Sequence, residues 1–186
     1  MTVSWVGVTA RSVPPDERAA ASRTGMMRAM VEEGVDAFIA RFKAYASDVQ
    51  VAARYEGSPL LECFAGDLVV HLFERTNPYH AGTGRARVII QPEAASCVRL
   101  EPDDPAPARS AESVALSALA VTGVVALRDD PFLVVDAGIR LVVAFDALPS
   151  EVAVGDRVRF QSRPPIHGFV LPPERGGGYV ATDDMV

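Results

Sequence analysis

Cys63, Asp67, His71, His80 and Cys97 are the residues of this chain with the donor chemistry of a zinc site. Zinc takes thiolate, imidazole and carboxylate ligands, and its recognisable sequence patterns pair two of them at close, fixed spacing. No C-x-x-C or H-x-x-x-H pair occurs among these five, so neither a metal nor a cofactor is expected. The loop Thr76–Arg85 holds another chemical possibility. Its glycines and Arg85 could cradle an anion, and Tyr79 or His80 could deliver a proton. No strand–loop–helix context follows, which excludes a Walker loop or a dinucleotide fingerprint, and the same residues equally make an ordinary hairpin loop. His71, Tyr79, His80 and Arg85 are therefore the candidate ligand-binding residues.

Arg140, Arg157, Arg159 and Arg163 form a second candidate set, an anion or single-stranded nucleic-acid patch on which Phe132 or Phe169 could stack bases. The competing reading is that Arg157 and Arg159 occupy the solvated face of a strand, since the interleaved aromatics of a nucleic-acid stripe are missing. Glu62 and Asp67 flank a tight turn and read either as a carboxylate pair or as two surface acids. The sequence contains no G-x-S-x-G, no H-E-x-x-H and no cysteine in a catalytic signature, so no catalytic residue is assigned.

Net charge is −6, and residues 111–186 hold ten acids against six bases. That balance disfavours a generic nucleic-acid binder, whose affinity rests on neutralising phosphates. No apolar run of about 18 residues suits a membrane helix, and the N-terminal residues lack a signal-peptide pattern. Two cysteines cannot form a disulfide framework. A cytoplasmic location with both thiols reduced is expected.

These side chains need elements to hold them. Met27, Val31, Val35, Phe38, Phe42 and Tyr45 recur at three and four, which predicts a helix from about 16 to 46, interrupted at Gly34. A short strand is expected before it at 3–9. Val49, Val51, Ala53 and Tyr55 alternate with polar residues as in a half-buried strand. Gly57-Ser58-Pro59 and Gly66-Asp67 then turn the chain through LLECFA and LVVHLFER, followed by RARVIIQ and SCVRL. Residues 101–110, with three prolines and three acids, read as a linker. Beyond it ESVALSALAVTGVVALRD reads as one long strand with a bend or bulge at Gly123. FLVVD and IRLVVAFD form a hairpin around Asp136–Gly138, and VGDRVRFQS and IHGFVL complete five runs.

The long strand with Gly123, the hairpin at Asp136–Gly138 and the run Val154–Phe160 together resemble an OB fold, a five-stranded Greek-key barrel, across residues 112–171. The segment Asp146–Ala153, containing Pro149, departs from the helix usual in that fold. The expected class is α+β: an N-terminal helix on an antiparallel meander (1–100), the linker, and an OB-like barrel with a flexible tail (111–186). The leading functional expectation is a non-catalytic binding or assembly protein with a protein partner or a homo-oligomer. One alternative is a small-molecule-binding protein or enzyme with a cavity between helix and sheet, lined by Tyr55, Glu62, His71, Tyr79 and His80. The other is single-stranded nucleic-acid binding through the barrel.

Overall fold

The computed structural model describes residues 34–53, 58, 60–76 and 82–172. Helix α1 (Val35–Phe42) runs into a single 3₁₀ turn (Lys43–Tyr45). Eleven strands follow: β1 (Ser47–Val51), β2 (Leu60–Ala65), β3 (Leu68–Glu74), β4 (Gly84–Ala94), β5 (Val98–Leu100), β6 (Ser110–Ala115), β7 (Ala118–Asp129), β8 (Phe132–Asp136), β9 (Arg140–Phe145), β10 (Arg157–Gln161) and β11 (Arg163–Val170). They form one mixed sheet in the order β1-β2-β3-β11-β4-β9-β8-β7-β10-β5, with β6 paired to β7.

The expected α+β class with a separate barrel is overturned, and β4 and β11 show why. β11, the last strand, lies between β3 and β4, parallel to the first and antiparallel to the second. β4 also pairs in parallel with β9. Strands on either side of residues 101–110 are thus interleaved in one mostly-β sheet rather than sorted into a meander and a barrel. β1 pairs with β4 as well as β2, which closes a ring of five strands: β1, β2, β3, β11 and β4. Of the run 112–171, only β11 belongs to that ring. The likeness to a small closed sheet survives only at this level.

Two-residue alternation sends one set of side chains into the main core, including Leu61, Cys63, Val70, Leu72, Val88, Ile90, Leu133, Leu141 and Ile166. The opposite face of the sheet receives α1. Phe38 packs on Phe132 of β8 and Phe169 of β11, with ring centroids 5.6 and 4.6 Å apart, and Phe42 lies 5.3 Å from Phe132. The helix expected on the N-terminal meander therefore docks on strands from the second half. Of the expected span 16–46, only the last part lies among the described residues, and the expected strand at 3–9 lies outside them.

Arg41 anchors this helix. Its guanidinium lies over the rings of Phe42 and Phe132, and its Nε donates to Asp129 Oδ2 at 2.7 Å. That hydrogen bond, with the positive charge behind it, holds the Asp129 carboxyl below its ordinary range. A depressed carboxyl contributes stability that is present above its unfolded pKa and is lost as pH falls through the folded value. Arg41→Gln should therefore raise the Asp129 pKa and remove a stabilising contribution at neutral pH. Both side chains are part-exposed, so the electrostatic share is below about 1 kcal/mol. Carboxyl chemical shifts followed through an acid titration read this directly; an unmoved Asp129 would refute the pairing.

Candidate functional site

The ring has an outer face, and its side chains are set by strand register. In the β2–β3 hairpin the opposed pairs are Leu60 with Phe73, Glu62 with His71, and Phe64 with Val69. Their neighbours Leu61, Cys63, Val70 and Leu72 point the other way, into the core. Ala65 and Leu68 close the hairpin across Gly66-Asp67, where a positive φ of 61° at the first turn position is that of a type II′ turn. The Gly66-Asp67 turn was legible in the sequence.

The hairpin thus presents three rows: apolar, ionisable, apolar. Leu60 and Phe64 are each 37% exposed, and Val69 and Phe73 are half-buried. In the middle row His71 Nε2 lies 3.5 Å from Glu62 Oε2. His71 Nδ1 is buried without a hydrogen-bond partner.

The same face continues onto β11 and β4. His167 is the register partner of Phe73 on one side and of Gln91 on the other. Its ring stands edge-on to Phe73 at 6.2 Å, and its Nε2 is 3.7 Å from Glu93 Oε1. Arg163 makes a fork–fork pair with Asp146, both contacts at 2.8 Å, and lies 4.0 Å from Glu93. Gln91 is fully buried, and its Oε1 finds no partner. Phe38 bridges β8 and β11 and so lies over β9 and β4 between them, which accounts for that burial.

Chemically this face offers two imidazoles, each held near a carboxylate, among half-exposed apolar side chains. An imidazole–carboxylate pair can move protons, but nucleophilic chemistry also needs a free nucleophile. Ser117, which bonds the backbone of His71, has its hydroxyl engaged twice. It donates to the His71 carbonyl at 2.7 Å and accepts from the Ile166 amide at 2.8 Å. Aromatic and aliphatic groups surround a small polar centre on this face.

Of the ligand-binding candidates, His71 and Arg85 share this outer face. Arg85 is the register partner of Gln50, which opposes Phe64, so β1 and β2 separate it from β3. Tyr55, Tyr79 and His80 lie outside the described residues. Cys63 and Cys97 are in the core, so His71, on the opposite side of its strand, is not brought to them. Burial, with Glu151 nearby, pushes the Cys97 thiol up, so it stays protonated at neutral pH. Neither thiol should react with a water-soluble disulfide reagent until the protein is unfolded. Fast native labelling at Cys97 would contradict this packing.

The four arginines are spread over β9, β10 and β11, and the protein itself uses their donors. Arg157 donates to the carbonyls of Glu101, Asp104 and Ala106, and Arg159 pairs with Asp104 at 3.2 Å. Together they fasten residues 101–106 along β10. Arg140 donates to the Ala44 carbonyl, and Arg163 is held by Asp146. Phe132 and Phe169 are buried under α1.

Sequence reading passed over His167, Glu93, Gln91 and Ser117. His167 stood in the alternating run IHGFVL, but only the parallel β3–β11 pairing puts it beside Phe73. Among the described residues no group of three histidines, cysteines or acids could hold a metal, and no helix is long and apolar enough to cross a membrane. Comparison with protein-family models, with curated proteins and with solved structures gives no match to this chain.

Proposed function

We propose that this chain is a non-catalytic binding or assembly protein of the cytoplasm, docking a protein partner on the outer face of its five-strand ring. The observation that carries this reading is the β2–β3 hairpin, with Leu60 and Phe64 exposed beside half-buried Val69 and Phe73 around Glu62 and His71. Scattered exposed apolar residues are ordinary on a protein surface, but register places these four on one face. Burying them against a partner would desolvate an aromatic-rich centre, the usual core of a protein interface. The commitment of Arg157 and Arg159 to residues 101–106 supports a docking role over a nucleic-acid one. Two buried thiols that form no disulfide suit a reducing compartment.

A photo-reactive benzoylphenylalanine at position 64, introduced into the protein in the cells that make it, tests this. A discrete protein adduct is expected at position 64 and none at an exposed position on β5. Leu60→Glu together with Phe64→Glu should abolish a partner's binding while changing stability by less than about 1 kcal/mol. Absence of any adduct at position 64 would overturn the reading.

A further inference from the structure

We propose that Gln91, Glu93 and His167 form a binding site for a primary ammonium group. The site lies beyond the docking reading above and does not depend on it.

Three acceptors on β4 and β11 lack donors among the described residues. Gln91 is fully buried, and its Nε2 turns back to the Pro92 carbonyl at 3.4 Å, which leaves Oε1 without a partner. Glu93 lies 3.7 Å from His167 Nε2 and 4.0 Å from Arg163, both beyond the roughly 2.7–3.2 Å of a hydrogen bond. His167 Nε2 faces that carboxylate and so carries the ring proton. Its Nδ1 is then a buried lone pair with no donor.

Strand register gathers these groups. Gln91 and Glu93 share the face of β4 opposite Ile90 and Ala94, which point into the core. β11 sets His167 beside Gln91 and Arg163 beside Glu93. Exposure rises from the fully buried Gln91 through His167 (14%) and Glu93 (21%) to Arg163 (35%), so the block opens to solvent on the Glu93 side. The His167 ring stands edge-on to Phe73 and is held by no hydrogen bond among the described residues. It can turn to admit a ligand.

The missing partner must bring donors and positive charge. An ammonium carries three N–H donors and no acceptor, one for each of Gln91 Oε1, His167 Nδ1 and the Glu93 carboxylate. A guanidinium brings five donors in a fixed plane, more than these acceptors can pair. Arg163 is taken up by Asp146 through two contacts of 2.8 Å, which leaves Glu93 as the uncompensated charge of the block. The net charge of −6 also attracts cations.

Titrating the full chain with n-butylammonium at about pH 8, where the amine is charged, tests this. Long-range proton–nitrogen spectra resolve the ring nitrogens of the histidines. The His167 Nδ1 signal is expected to move saturably, with a dissociation constant on the order of 1 mM. His71, whose partner Glu62 is more exposed and has no third buried acceptor beside it, should stay in place. n-Butanol, with one donor and no charge, should bind at least about tenfold more weakly. Gln91→Leu removes the unpaired acceptor at little change in volume. Its urea midpoint should hold or rise while affinity for butylammonium falls at least about tenfold. Glu93→Gln, at a part-exposed position, should weaken binding similarly and keeps the test open if Gln91→Leu does not fold. Nα-acetyl-lysine methylamide separates two sources of the ammonium. Binding as tight as that of butylammonium assigns the site to a protein's lysine side chain; binding of butylammonium alone assigns it to a free amine. An unmoved His167 Nδ1, equal binding of butanol, or unchanged affinity in the folded variants overturns the site.

Discussion

Replacing Gly123 by alanine is expected to destabilise the protein by about 3 kcal/mol, since a core position already in contact has no space for an added methyl. A Cβ at this position would stand 2.6 Å from Val135 Cγ1, 2.7 Å from the Asp136 carbonyl oxygen and 3.0 Å from its carbon. Rotation of Val135 relieves only the first of these clashes. The other two are with backbone, and neither strand is free to retreat. β7 opposes β8 through Val124 with Asp136 and Val125 with Val135, while β10 holds Gly123 from the other side through Val158. Asp136 is tied further by Arg109 at 3.3 Å. Gly66→Ala makes the control. There the added methyl meets nothing within 4 Å, but the residue must keep a φ of 61°, so the expected cost is nearer 1 kcal/mol. Urea unfolding of the two variants should separate them, with midpoints shifted in that order and slopes unchanged. An unshifted midpoint for Gly123→Ala would mean that β7 and β8 do not approach this closely.

The same glycine shows what the sequence can and cannot convey. Its presence in a strand was informative, but the reason assigned to it was a bend or bulge at that residue. The irregularity in β7 falls between Val125 and Leu127 instead, and Gly123 serves close approach. A glycine for curvature and one for proximity look identical in a sequence. Alternation in β1 and the Gly66-Asp67 turn were legible because both are local. Val49 and Val51 are buried and Gln50 is exposed, as the period of two requires. The position of β11 between β3 and β4 was not legible. It joins strands far apart in the sequence, Ile166 with Leu72 and His167 with Gln91, and no residue in IHGFVL encodes which strands it joins. The candidate site suffered the same way: Glu62 and His71 face each other across one short turn, whereas His167 and Gln91 depend on long-range register. The expected long strand at 112–129 failed for a different reason. ESVALSALAVTG has no glycine or proline at residues 116–117, yet it folds into the β6–β7 hairpin around Leu116 and Ser117.

Ser117 is the residue that makes this break possible, and Ser117→Ala should lower stability by about 2–4 kcal/mol through two orphaned backbone groups. The residue sits at φ 58°, uncommon outside glycine, and is almost fully buried. From there its hydroxyl reaches between β3 and β11, accepting from the Ile166 amide and donating to the His71 carbonyl. Alanine keeps the strained backbone and removes both bonds, leaving a buried donor and acceptor unpaired. Ser117→Gly loses the same bonds but relieves the φ, so it should be the milder variant by about 0.5–1 kcal/mol. That order, serine over glycine over alanine, distinguishes a bridging hydroxyl from a turn that merely wants conformational freedom. In the latter case glycine would match or exceed serine. Amide exchange supplies the local reading: the Ile166 N–H should lose protection in both variants relative to neighbouring strand amides. The consequence reaches the proposed contact face, because the His71 carbonyl held by Ser117 belongs to the residue facing Glu62 in the central row. Loosening β3 there should weaken partner docking on this face in Ser117→Ala. A Ser117→Ala protein with wild-type stability and an undisturbed Ile166 amide would show that the ring does not depend on this hydroxyl.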